Sequence, residues 1–167
     1  DVDTIRNMAP LKVLSYLGIP LYRLPQLILK GKATYNSLLS SVEPIPGIPF
    51  VLMELQKKYE LHILTSNDQK IVLSFLNTHE ISCFESVTSE RNLFGKDKSL
   101  KKMFKQLRCS PEDVLYIGDE VRDIEACQKV NVDVCSVSWG LNSHDILAEH
   151  SPTYLLKDPT ELLKLLI

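Results

Sequence analysis

The chain has little that would commit it to a membrane, a nucleic acid or an oxidising compartment. No apolar run in its 167 residues approaches the ~20 needed to span a bilayer, and the acidic opening Asp1-Val2-Asp3 is unlike a secretory leader. It also lacks an excess of either charge. Its 19 Lys and Arg against 21 Asp and Glu leave a net charge of -2, so there is no general electrostatic case for nucleic acid or an anionic lipid surface. Any phosphate site must therefore be local. Cysteine is sparse, and Cys83, Cys109, Cys127 and Cys135 form no Cys-x-x-Cys pair and have no histidine clamp nearby. This pattern argues against a zinc site and a disulfide framework, and a reducing, cytoplasmic setting fits best. There is no internal repeat and no low-complexity tract. What is present, 44% hydrophobic and 24% charged residues, is an ordinary globular composition, long enough for one core with a small appendage.

Two regions differ in character. Up to about residue 43, Leu11, Val13, Leu14 and Leu17, then Leu24, Leu27, Ile28 and Leu29, then Tyr35, Leu38 and Leu39 predict short helices, punctuated by Gly18-Ile19-Pro20, Pro25 and Gly31. The stiff connector Pro44-Ile45-Pro46-Gly47-Ile48-Pro49 marks a boundary. Beyond it, helices and strands alternate. Helices are expected over about 49–59, through Ile71 to Leu76, over 97–107, after residue 120, near 143–149 and at the end of the chain. Strands are expected at 61–65, 82–87, 114–117, 132–137 and 154–156. The alternation predicts an α/β fold, a parallel sheet with helices on both faces.

The segment Val114-Leu115-Tyr116-Ile117-Gly118-Asp119-Glu120-Val121-Arg122-Asp123 is the most informative. An apolar strand empties into Gly-Asp, and open α/β sheets bind their ligands at such ends. Residues four apart share a helical face, which would aim Asp119 and Asp123 at one point. At ~5 Å and an effective dielectric of ~20 their repulsion is about 3 kcal/mol, and a divalent cation would reverse it. The plainer reading is that Asp119 caps the helix and Asp123 complements its dipole. Upstream, the strand Leu61 to Leu64 ends in Thr65-Ser66-Asn67 before a helix, which makes either a phosphate cradle or an ordinary N-cap. Lys96, in Phe94-Gly95-Lys96-Asp97-Lys98, opens the 97–107 helix, where a cation opposes the dipole and answers either another anion or only solvent. His62, His79, His144 and His150 read as structural or exposed.

In this order and context, Thr65, Lys96 and Gly118-Asp119-x-x-x-Asp123 resemble the second, third and fourth motifs of the haloacid dehalogenase superfamily of phosphohydrolases, in its phosphoglycolate-phosphatase-like branch. The similarity covers about residues 44–157 and extends to Pro46-Gly47, Asp123-Ile124-Glu125-Ala126-Cys127 and Trp139-Gly140-Leu141-Asn142-Ser143. It implies a three-layer Rossmann-like core over 44–167 and an incomplete helical cap segment over 1–43. It also implies a Mg²⁺-dependent phosphatase acting on a small phosphorylated metabolite through an aspartyl-phosphate. In these roles Thr65, Ser66 and Asn67 bind phosphate, Lys96 neutralises it with Lys98 as second choice, and Asp119 and Asp123 hold the metal.

The family's first motif, Asp-x-Asp-Gly-Thr at the end of a buried strand, has no counterpart beyond Asp1-Val2-Asp3-Thr4-Ile5, which lacks the Gly-Thr pair. The expectation is that the sequence begins inside the cap. In the family the missing strand lies between those ending at Thr65 and Asp119, so a slot of roughly 9.6 Å, two strand spacings, should open there. An N-terminal peptide, a second chain or a rearranged segment would fill it, because buried sheet edges leave backbone groups unpaired. Two other functions compete: a non-catalytic binding protein on the same scaffold, and a phosphoacceptor signalling domain. The cap-like helices and the Thr65-to-Asp119 order speak against the second.

Overall fold

Leu61–Thr65 (β1), Phe84–Ser89 (β2), Leu115–Gly118 (β3), Asp133–Val137 (β4) and Tyr154–Leu156 (β5) form the strands. In the computed structural model, described over residues 2–8, 10–23, 25–27, 30–31, 41–90 and 95–166, short 3-10 turns at Leu21–Arg23 and Pro111–Asp113 and a set of α-helices accompany them. The α-helices are Val2–Arg6 (α1), Pro10–Tyr16 (α2), Ile48–Leu55 (α3), Gln69–Thr78 (α4), Lys96–Leu107 (α5), Val121–Gln128 (α6), His144–Glu149 (α7) and Glu161–Leu166 (α8). Asp1, Leu24, Ile28, Leu29, Tyr35, Leu38, Leu39 and Phe94, all named above, lie outside the described residues. None of the described helices is long and apolar enough to cross a membrane.

Every strand pairing is parallel, and the helices cover both faces. The reason is clearest at β4, where four successive residues from Val134 to Val137 are buried. Val134 packs with Leu100, Phe104, Ile124 and Leu147, whereas Cys135 and Val137 pack with Val51, Leu55 and Leu162. A strand buried on alternate sides needs a helical layer on each. Gly47 opens α3 with φ 87°, a left-handed conformation that a β-carbon would penalise, and so turns the proline-rich connector into the first core helix. The helix expected over 49–59 stops at Leu55. Past that point Tyr59 N–H still reaches Leu55 O at 3.0 Å within a turn, and the Tyr59 hydroxyl donates to Leu166 O at 2.7 Å.

The sheet is in two pieces. Among the described residues β1 pairs only with β2, and β3, β4 and β5 form a separate set. Between β1 and β3 lies a cavity of about 720 Å³, lined among others by Ile63, Leu64, Leu115, Ile117, Leu107 and Trp139. Its openness explains two departures from pattern. Ile117, in the middle of a strand, is 41% exposed, and Leu107, on the apolar stripe of α5, is 37% exposed. Thr65 and Asp119 are thus not on hydrogen-bonded neighbours, as the slot expectation requires.

Candidate active site

The carboxylates gather at the carboxyl end of β3. Asp119 follows Gly118 in a turn, Glu120 is the N-cap residue, and α6 begins at Val121. Asp119 and Asp123 therefore do not converge as two residues on one helical face, as their spacing suggested. Asp119 reaches the site from the turn and Asp123 from the first turn of the helix. One carboxylate oxygen from each of Asp119, Glu120 and Asp123 lies within 4.8 Å of the others. Asp123 is 2% exposed and also accepts the Glu120 N–H at 3.2 Å; the plainer reading made Asp119 the helix cap, but the N-cap residue is Glu120, in a capping box with Asp123.

Charge balance comes from two cations. Lys96, the first residue of α5, pairs with Asp123 in a short contact, and its ammonium stands 5.5 Å from the centre of the Tyr116 ring. Lys98, the second choice, is exposed. Arg122 bonds Glu120 at 2.6 Å. Burial works against the guanidinium charge, yet the bond and charge of Glu120 outweigh it and hold the Arg122 pKa above its ordinary value. Burial first, and then the Asp123 charge, push the Tyr116 hydroxyl well above the usual phenol range.

Two glycines make room for this crowding. A β-carbon on Gly118 would come within 2.8 Å of Asp123 Cβ, and one on Gly140 would overlap the Asp119 side chain. From the loop after β4, Leu141 N–H donates to Asp119 Oδ2 at 2.6 Å and Asn142 N–H to Asp119 O at 3.0 Å.

Thr65, Ser66 and Asn67 are at the end of β1, across the slot. Asp68, not they, caps α4, accepting Lys70 N–H at 2.9 Å. Thr65 Oγ1 accepts Asn67 N–H at 3.1 Å, and Thr65 O accepts Glu90 N–H at 2.7 Å. Among the described residues no hydrogen bond joins Thr65 to the Asp119 cluster. Lys96, Asp119 and Asp123 are brought together, and the phosphate-loop residues stand apart from them. Glu120, Tyr116, Gly140 and Asn142 were missed as site residues. Glu120 was legible in principle, as a third carboxylate between the two aspartates; the others depend on tertiary approach.

A family model for haloacid dehalogenase-like hydrolases matches residues 3–137. The chain belongs to this family. It is 26% identical over 166 residues to a phosphoglycolate phosphatase of Synechococcus elongatus, a match covering 98% of this chain and 78% of that protein. It is also 26% identical over 130 residues to pyrophosphatase PpaX of Bacillus mycoides, covering 75% of this chain and 60% of that relative's length. Among solved structures, a haloacid dehalogenase-like hydrolase of Streptococcus pneumoniae superposes with a TM-score of 0.82 at 20% identity, over 99% of this chain and 81% of that one. A predicted phosphoglycolate phosphatase from Haemophilus somnus gives 0.71 at 21% identity, over 78% and 61%. The haloacid dehalogenase-like fold read from the motifs is thus the fold observed, with its sheet divided.

Proposed function

We propose that the complete protein is a Mg²⁺-dependent phosphohydrolase acting on a small phosphorylated metabolite. The observation that carries this reading is the meeting of Lys96 with a buried Asp123 beside Asp119 and Glu120 at a strand's carboxyl end. Phosphoryl transfer asks chiefly for positioning and charge neutralisation, which a cation and a carboxylate cluster supply. The donor set fits the metal: three carboxylates with no histidine or thiol among them suit a hard, oxygen-seeking ion. Bound there, Mg²⁺ would supply electrostatic stabilisation of the phosphoryl oxygens. Asp119 and Asp123 would hold it, and Lys96 would face the phosphate. Thr65 Oγ1 accepts from Asn67, which leaves its own O–H to donate to a phosphoryl oxygen. Ser66 and Asn67 would contribute backbone N–H groups.

The slot between β1 and β3 takes an additional parallel strand, from an N-terminal peptide or a second chain, and that strand brings the nucleophilic aspartate. Its carboxylate attacks phosphorus, the bond to the substrate oxygen breaks and that oxygen is protonated; water then cleaves the acyl phosphate to inorganic phosphate. Residues 1–43 act as a cap segment on the core of 44–167. The test is release of phosphate from p-nitrophenyl phosphate by the full-length protein. Turnover should require Mg²⁺ and fall at least a hundredfold in Asp119→Asn with folding intact, and metal-independent turnover would sink the reading.

A second reading, a non-catalytic phosphate-binding protein, draws on the internal engagement of both phosphate-facing groups, Lys96 by Asp123 and Thr65 by Asn67. Saturable binding of inorganic phosphate without turnover by the full-length protein would favour it.

A further inference from the structure

The loop over 138–143 bonds the Asp119 side chain on one side and the N-terminal segment on the other. Arg6, which ends α1, spreads its guanidinium over three carbonyls of this loop: Nε donates to Leu141 O at 3.2 Å, and Nη2 to Ser138 O at 3.1 Å and Gly140 O at 3.2 Å. Ser143 N–H returns a bond to Arg6 O at 3.0 Å, and the Ser143 hydroxyl meets Asn7 Oδ1. At the centre is Asn142, 2% exposed. Its Oδ1 accepts Val121 N–H, the first amide of α6, at 3.0 Å, while its Nδ2 donates to Arg6 O at 3.1 Å and Met8 O at 3.3 Å. The partners settle the amide's orientation, since a flipped group would set oxygen against two carbonyls and nitrogen against an N–H. Leu141 and Asn142 are also the residues whose N–H groups hold Asp119.

We infer that Asn142 and Arg6 are positioning residues: they clamp the 138–143 loop onto Asp119 and so couple the N-terminal segment 5–8 to the carboxylate cluster. Neither touches the reacting atoms. The inference rests on the proposed Mg²⁺ site for its functional arm only. Outer-shell partners of metal ligands are worth about ten- to a hundredfold in metal affinity. Electrostatics alone points the other way for Arg6, because removing a positive charge from the loop that bonds Asp119 tightens a cation.

The test uses the full-length protein with Asn142→Ala, Arg6→Met and both together, measuring the Mg²⁺ dissociation constant by titration calorimetry and amide exchange at Leu141, Asn142 and Ser143. Arg6→Met should weaken Mg²⁺ about tenfold and speed exchange at Leu141 and Asn142 at least tenfold, with the double variant little worse than Asn142→Ala. Unchanged or tighter Mg²⁺ binding by folded Arg6→Met, or additive losses, would overturn it. Should Asn142→Ala fail to fold, Arg6→Met, on a partly exposed side chain, still decides. If the unsubstituted protein binds no Mg²⁺, the functional reading fails, and the exchange rates alone judge the clamp: unaltered exchange in Arg6→Met refutes it.

Discussion

Single side chains at this site are held by opposing charges in a small space. Asp123 is nearly inaccessible and depends on Lys96, so Lys96→Met leaves a buried carboxylate without its cation. Loss of one partner of a buried pair costs about 3–5 kcal/mol; Lys96 keeps some contact with water, so we expect a loss at the lower end, about 3 kcal/mol, read by urea denaturation without metal. Gly140→Ala acts by volume. Its methyl group overlaps Asp119, and the carboxylate must move or the loop must shift, at roughly 1–3 kcal/mol. A thermal shift with Mg²⁺ separates the outcomes: the variant should be less stable and should also lose most of the stabilisation that Mg²⁺ confers. The buried thiols set an alkaline limit. Burial raises Cys127 from 9.0 to about 12 and Cys135 from 9.0 to about 11. A raised folded-state value means that the native state keeps its proton while the unfolded chain loses it above pH 9, so stability is full below that value and declines from pH 9 towards 11–12. Denaturation midpoints across pH 8–11 should fall, and should fall less in Cys127→Ala.

At the scale of elements, the sequence and the structure agree where periodicity and burial coincide. The stripe Leu100, Met103 and Phe104 predicted α5 because all three are buried, and β4 was legible from its β-branched Val134 and Val137. What could not be read were features created by distant contact. The bond from the Tyr59 hydroxyl to Leu166 O joins residues far apart in the chain, and the exposure of Ile117 depends on a neighbour that β3 lacks among the described residues. The site divides likewise. Lys96, Asp119 and Asp123 carry chemistry in their identities and were legible as candidates, whereas Gly140, Asn142 and Tyr116 look like ordinary loop and strand residues until the fold places them beside Asp119, the start of α6 and the Lys96 ammonium. Thr65 was legible by type and order, yet its link to the cluster crosses the divided sheet. The division has a consequence for dynamics. Among the described residues β4 is bonded on both edges, and β1 and β3 on one each. Amides whose release needs only local opening exchange faster than those in a fully paired strand. Exchange at Ile63 and Ile117 should therefore outpace that at Cys135 and Ser136 by tenfold or more in the 167-residue chain, and comparable rates would show the two halves opening together.

For the whole molecule, the slot determines whether two half-sheets behave as one cooperative unit. Its walls come from both halves, β1 and β3 with residues of α3, α5 and α8 around them, and they are largely apolar. Apolar walls of this extent favour occupation, because each Å² removed from water is worth about 25 cal/mol. A parallel strand would also satisfy the free edges of β1 and β3, whose unpaired backbone groups invite pairing. Trp139, the sole tryptophan, lines the same slot and gives a direct reporter. In the 167-residue chain alone its emission should be partly quenched by acrylamide, and its urea transition should separate from the far-ultraviolet signal, since the half-sheets lack a shared strand. Once the slot is filled, in the full-length protein or by an added strand-forming peptide, the emission should move to the blue, quenching should fall and the two transitions should coincide. Trp139 fluorescence identical with and without the added segment would mean that the segment binds elsewhere, and that the gap between β1 and β3 is not where the molecule is completed.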